Sequence, residues 1–157
     1  MRMVYITKQV HFCAAHRLYN PAWNDEKNEA VFGPCANKNW HGHNFDLFVT
    51  IKGQPDPDTG FVMNFKDLKK VVKDQVLEAV DHKNLNLDVP FMKDKLPSCE
   101  NLVFEFWKIL EPLVKDESKG RASLHALKLY ESLKSADNVS VQLERRGMDR
   151  TINYNIR

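Results

Sequence analysis

Two stretches of the chain alternate apolar and polar residues with the period of a β-strand. In "MVYITKQVHF", residues 3–12, Val4, Ile6, Val10 and Phe12 share one face, and counting on in twos reaches Ala14 and His16. In "HGHNFDLFVTIKG", residues 41–53, one face holds His41, His43, Phe45, Leu47, Val49 and Ile51, and the other holds Asn44, Asp46, Thr50 and Lys52. Both histidines therefore lie on the apolar face. The intervening segment, Arg17 to Trp40, shows little periodicity and reads as a long loop carrying Cys35. After the turn cluster "GQPDPDTG" the period becomes helical. "NFKDLKKVVKDQVLEAV" has an Asn64 cap and a stripe of Leu68, Val71, Val72, Val76, Ala79 and Val80. "DHKNLNLDVP" reads as a polar turn, and "PSCENLVFEFWKILEPLV" as a second helix capped by Ser98, with Leu102, Val103, Phe106, Trp107 and Leu110 buried. Past the loop "DESKGR", the segments "SLHALKLYES" and "NVSVQLERR" read as a strand pair joined by "LKSAD".

The order ββααββ predicts an α+β fold: a four-stranded antiparallel sheet with two helices on one face. One domain spans residues 1–157, with 147–157 a C-terminal extension to which the sequence assigns no role. Such a sheet leaves two edges and one face open, which association with other copies would cover.

Composition narrows the function classes. A chain of 157 residues, 43% hydrophobic and 28% charged, suits one continuous core. A formal net charge of +2 provides no basic surplus for nucleic acid or a membrane surface, so an anionic partner must be met locally. Cys13, Cys35 and Cys99 are an odd, sparse set, better suited to a reducing compartment than to a disulfide framework. The opening residues lack the apolar region of a targeting signal, and no run approaches a membrane span. The expectation is a soluble, cytoplasmic protein.

The candidate chemistry centres on "GPCANKNWHGHNF". Histidines at i and i+2 of a strand point the same way, so His41 and His43 can approach one Zn2+ ion together. His16, on the apolar parity at the end of the neighbouring strand, is the candidate third ligand. Three neutral imidazoles leave a coordination position open for substrate oxygen. Cys35 has three readings on spacing alone: a fourth ligand closing a structural site, an inert buried thiol, or a thiolate base beside the metal. His11 and His125 have no such constellation and read as structural or exposed. Cys13 lies on the face opposite His16 and reads as packing.

The stretches "FCAAHRL", "VFGPCANKNWHGHNF", "TGFVMNFKDLK", "VDHKNLNLDVP", "SCENL" and "KLYES" resemble, in order, the 6-pyruvoyltetrahydropterin synthase family, over about Val10 to Glu144. The resemblance implies the tunnelling fold, in which three subunits join their sheets into a barrel and two trimers stack as a homohexamer with active sites at subunit interfaces. It implies zinc on His16, His41 and His43, Cys35 as the catalytic cysteine, Asp81 with His82 as a catalytic pair, and Glu131 as the anchor of the pterin. Without it, Asp81 and His82 would read as a helix C-terminal turn and Glu131 as a solvated strand end. Where the family commonly has a hydroxyl pair against the pterin, this chain has Ser98 and Cys99, which keeps one such contact and weakens the other. The implied substrate is 7,8-dihydroneopterin triphosphate, converted to 6-pyruvoyltetrahydropterin with elimination of triphosphate. Arg17 and Lys38 are positional candidates for the triphosphate, although solvated surface charge is the plainer reading of each. The sister enzyme 6-carboxytetrahydropterin synthase, of deazaguanine and queuosine synthesis, uses the same substrate; the C-x5-H-G-H spacing and "DHKNLNLDVP" look more like the pyruvoyl branch. A rival from another class is a non-enzymatic zinc-stabilised interaction module with Cys35 as fourth ligand.

Overall fold

In the computed structural model, which describes residues 2–132, 139–146 and 149–156, the two alternating stretches pair along their whole length. Strand β1 (Val4–His16) runs antiparallel to β2 (His41–Gly53), in register from Val4 opposite Gly53 to His16 opposite His41. The alternation places Phe12, Phe45, Leu47, Val49 and Ile51 in the core. On the other face, the hydroxyls of Thr7 and Thr50 meet at 2.9 Å and Gln9 donates to Asp46. β4 (Ala122–Ser132) pairs with β2, shifting register between Thr50 and Ile51, and β5 (Val139–Arg146) pairs with β4.

Two further strands correct the expected four-stranded antiparallel sheet. β3 (Lys83–Asn84), inside the supposed polar turn, pairs parallel with Ala14 and Ala15, and β6 (Asp149–Ile156), in the supposed extension, pairs antiparallel with β5. The sheet is thus mixed and six-stranded, in the order β3-β1-β2-β4-β5-β6. Two residues are too few to show a period, which hid β3; residues 151–156 do alternate polar and apolar, a signal the strand reading passed over. The connection read at Leu133–Asp137 lies outside the described residues.

The helices cover the apolar face. The first expected helix begins as α2 (Phe65–Val72), with Asn64 Oδ1 accepting from the Lys66 N–H at 2.9 Å. It then widens into a π-helical turn (Lys73–Leu77) before closing as α3 (Glu78–Val80). The second, α4 (Cys99–Glu117), is capped by Ser98 as its sequence predicts. Its Leu102, Val103, Phe106, Trp107 and Leu110 are fully buried, each contributing about 1.5–3 kcal/mol through lost apolar exposure. The supposed loop from Arg17 to Trp40 is corrected by α1 (Asp25–Phe32) and a 3-10 turn (Gly33–Ala36). Polar contacts organise this helix in place of an apolar stripe. Asn24 caps it, and the fully buried Asn28 donates to the carbonyls of Asn20 and Asn24 and accepts from the Asn20 N–H. Among the described residues no helix is long and apolar enough to cross a membrane.

Candidate active site

The register of β1 on β2 brings His16 opposite His41, and their Nε2 atoms lie 2.9 Å apart. His16 is buried, and its Nδ1 lies 2.9 Å from the carbonyl of Pro97. A carbonyl only accepts, so Nδ1 carries a proton and Nε2 is the ring atom turned to the cluster. His43, two residues along the same face, puts Nε2 2.7 Å from Glu131 Oε1, which is also 3.5 Å from His16 Nε2. Glu131 reaches the histidines because β4 pairs it with Phe45, the next residue of that face.

These four side chains each offer one donor atom, all within 4.8 Å of one another. A tetrahedral zinc with bonds of about 2.0–2.1 Å spaces its donors roughly 3.4 Å apart, so the three imidazoles fit such an ion after small side-chain adjustments. His41 Nδ1 is buried with no hydrogen-bond partner among the described residues. An imidazole left so poorly partnered in the interior suits a ligand better than a structural residue.

Cys35 sits beside the cluster because the 3-10 turn is pinned to the end of β1. Its carbonyl accepts from the Leu18 N–H, the Ala36 carbonyl accepts from Arg17 Nε (both 2.8 Å), and the turn opens on Gly33 at φ +54°, a conformation that favours glycine. Hydrogen bonds from His16 and then His43 pull the Cys35 thiol down to about 7, against the opposing effect of burial. Burial, with His16 and His43 alongside, lowers His41 to about 4. Burial also disfavours a charged His43, yet Cys35 and Glu131 outweigh it and raise that imidazole to about 9. Burial alone would raise Glu131; His43 and His16 reverse the effect and hold it below the usual carboxylate range.

Ser98 and Cys99 join at the start of α4. Ser98 Oγ accepts from the Asn101 N–H, and Cys99 Sγ donates to Glu131 Oε2 at 3.3 Å. Burial, reinforced by Glu131, pushes the Cys99 thiol well up, so it remains a neutral donor.

Asp81 and His82 form a separate group at the outer edge of β1. The Cys13 N–H donates to Asp81 Oδ1 at 2.9 Å, and the His82 N–H donates to the Cys13 carbonyl at 2.6 Å. Asp81 Oδ1 lies 3.0 Å from His82 Nδ1, while the His82 side chain is 81% exposed on a backbone at φ +56°. A bulky residue in that region is strained, a feature concentrated at functional sites. The structure therefore unites His16, His41, His43, Cys35, Glu131 and Cys99, and holds Asp81 and His82 on the Cys13 backbone at the outer edge of β1. Among the other sequence candidates, Cys13 donates its thiol to Asn44 Oδ1, His11 lies 3.6 Å from Asp46 and His125 lies 3.4 Å from Glu144. The closeness of Glu131 to the histidines was missed, because it depends on the β2–β4 register and no local motif reports that.

Residues 5–141 match the family described as 6-pyruvoyl tetrahydropterin synthase. Among similar proteins, the human 6-pyruvoyl tetrahydrobiopterin synthase is 39% identical over 127 residues, covering 81% of this chain and 84% of its own. That of Poecilia reticulata is 44% identical over 106 residues, covering 68% and 72%. The solved structure of the Caenorhabditis elegans 6-pyruvoyl tetrahydropterin synthase superposes with a TM-score of 0.75 at 31% identity, covering 93% of this chain and 98% of that one. The fold, the shared sequence and the extent of the match agree: this chain belongs to the 6-pyruvoyl tetrahydropterin synthase family.

Proposed function

We propose that the protein is a zinc-dependent 6-pyruvoyltetrahydropterin synthase, a lyase converting 7,8-dihydroneopterin triphosphate to 6-pyruvoyltetrahydropterin with release of triphosphate. The observation that carries this reading is the meeting of His16, His41 and His43 with Cys35, in a chain whose relatives of that name match it over most of its length.

The three histidines would hold the ion, which when bound supplies Lewis-acid polarisation of the substrate's side-chain hydroxyls. Cys35, whose thiol is depressed toward neutrality, removes and returns the carbon-bound protons of that side chain. Glu131, held ionised, accepts the amino group and ring N–H that a pterin presents side by side. Ser98 keeps its hydroxyl proton for the pterin, whereas Cys99 gives its S–H to Glu131 and steadies the carboxylate. Asp81 orients His82 as the second proton carrier.

The separation of that pair from Cys35 supports a site completed by another copy, in a homo-oligomer read as a hexamer of two trimers. Both sheet edges are available for such contacts. Among the described residues, β3 covers β1 only at Ala14 and Ala15, and β6 has a neighbour on one side only. Met3, Val4 and Tyr5 are exposed on the open part of β1 and its approach.

Incubating the zinc-loaded protein with 7,8-dihydroneopterin triphosphate and identifying the product by mass tests the reading. The expected product is 6-pyruvoyltetrahydropterin with triphosphate. A carboxy product with acetaldehyde would move the protein to the queuosine-pathway sister activity, and absence of turnover would reject both.

A further inference from the structure

Several surface grooves carry basic residues, one of them sharing Lys8 and Lys69 with a neighbour that also holds Lys66, and two differ in how far their cations are committed. Arg17 and Lys38 line a cavity of about 590 Å³ together with Asp25 and Glu29, so its charges balance. Arg17 is also engaged there, its Nε donating to the Ala36 carbonyl and its guanidinium lying 3.9 Å over the Tyr19 ring. The groove between β1 and α2, about 460 Å³, is lined by Lys8, Lys69, Lys73 and Lys83 against Glu78 and Asp81. Lys73 lies 3.7 Å from Glu78, whereas Lys8, Lys69 and Lys83 have no ion-pair partner among the described residues. Lys69 and Lys73 stand four residues apart on one helix face, a like-charge spacing that disfavours the helix unless an anion offsets it. The π-helical turn begins at Lys73 and ends at Leu77, and both residues line this groove. Such turns are frequent at functional sites.

We propose that this groove binds the triphosphate of the substrate, so that each chain brings both its Asp81–His82 pair and a polyphosphate grip to the zinc cluster of another copy. The inference rests on the lyase reading above. Three uncommitted ammonium groups match a polyanionic chain, and long lysine stems can follow it from bound ester to departing triphosphate. Neutralising the charge that gathers on the leaving group favours the elimination as well as binding. The near-neutral chain thereby meets its anion locally, at a place the sequence did not single out.

The test uses zinc-loaded oligomer carrying Lys69→Ala with Lys83→Ala. Both residues are exposed, so their truncation leaves the core intact. The Michaelis constant for the substrate and the inhibition constant for inorganic triphosphate are each expected to rise about tenfold or more, with a smaller change in kcat. The corresponding double arginine variant is expected to recover both constants. Lys70→Ala, whose lysine pairs with Asp74 at 2.6 Å outside the groove, is expected to leave both unchanged. An active wild type with both constants unmoved in the alanine variant would overturn the subsite and leave the lyase reading standing. A rise in the inhibition constant alone would assign the groove to free polyphosphate and equally overturn it. If the wild type does not turn over, the lyase reading fails; calorimetry with inorganic triphosphate then decides the groove, and equal affinity in wild type and variant rejects it.

Discussion

Cys35 and His41 share one cluster, and single substitutions separate what each contributes. His41→Ala removes one of three imidazole donors and is expected to lower the zinc content measured by elemental analysis. Cys35→Ala is expected to leave zinc content unchanged while kcat falls by roughly 10²–10⁴, the usual contribution of a positioned proton carrier. Loss of zinc from Cys35→Ala would instead make this thiol a structural ligand, as the interaction-module reading requires. Asp81 has a different signature. Burial opposes its ionisation, but the Cys13 N–H and His82 outweigh that and hold its carboxyl below the usual range. A depressed carboxylate contributes stability above its unfolded pKa of about 4, and the contribution is lost as pH falls through the folded value. Denaturant melts should therefore find wild type more stable than Asp81→Asn at pH 7, with the difference closing as acid protonates Asp81. A gap that widened on acidification would contradict this account of the pair.

At the scale of elements, legibility followed periodicity. β2 was read to its ends, His41 and Gly53, because one face alternates without interruption and is buried from Phe45 onward. α4 was legible from its Ser98 cap and apolar stripe. α1 was not, because its organising residue is a buried asparagine and helical period is carried by apolar side chains. The π-helical turn escaped because Val72 and Val76 keep an apolar stripe through it. Strand parity was enough to group His16, His41 and His43. It was not enough for Cys35, which depends on the turn at Gly33–Ala36, or for Glu131, which depends on pairing across β2 and β4. The glycines at the two ends of β2 make a test of this strand. A Cβ on Gly53 would run into the Arg121 carbonyl oxygen and the Val62 side chain, whereas a Cβ on Gly42, between the two histidines, would meet only the Ala14 carbonyl at 3.7 Å. Chemical denaturation should show Gly53→Ala losing about 1–3 kcal/mol or more, as overpacking does, and Gly42→Ala changing stability little. Equal losses would mean that this end of the sheet yields more readily than its packing implies.

At the scale of the whole molecule, the proposed reading divides the catalytic groups of one chain between two half-sites. The zinc-ligand candidates and Cys35 gather at the end of β1 and the start of β2, while Asp81 and His82 sit on the outer edge of β1 with the imidazole turned to solvent. An exposed histidine held by a carboxylate on the outer edge of β1 is placed where another copy can reach it. Its placement follows directly if copies meet along the open sheet edges and each completes another's site. Coexpressing Cys35→Ala and His82→Ala chains and measuring 6-pyruvoyltetrahydropterin formation tests this most directly. Each variant alone should be inactive. In an equal mixture the chance that a site draws an intact residue from both chains is one half times one half, so activity should return to about a quarter of wild type. A mixed oligomer as inactive as its two parents, beside an active wild type, would contradict the shared site.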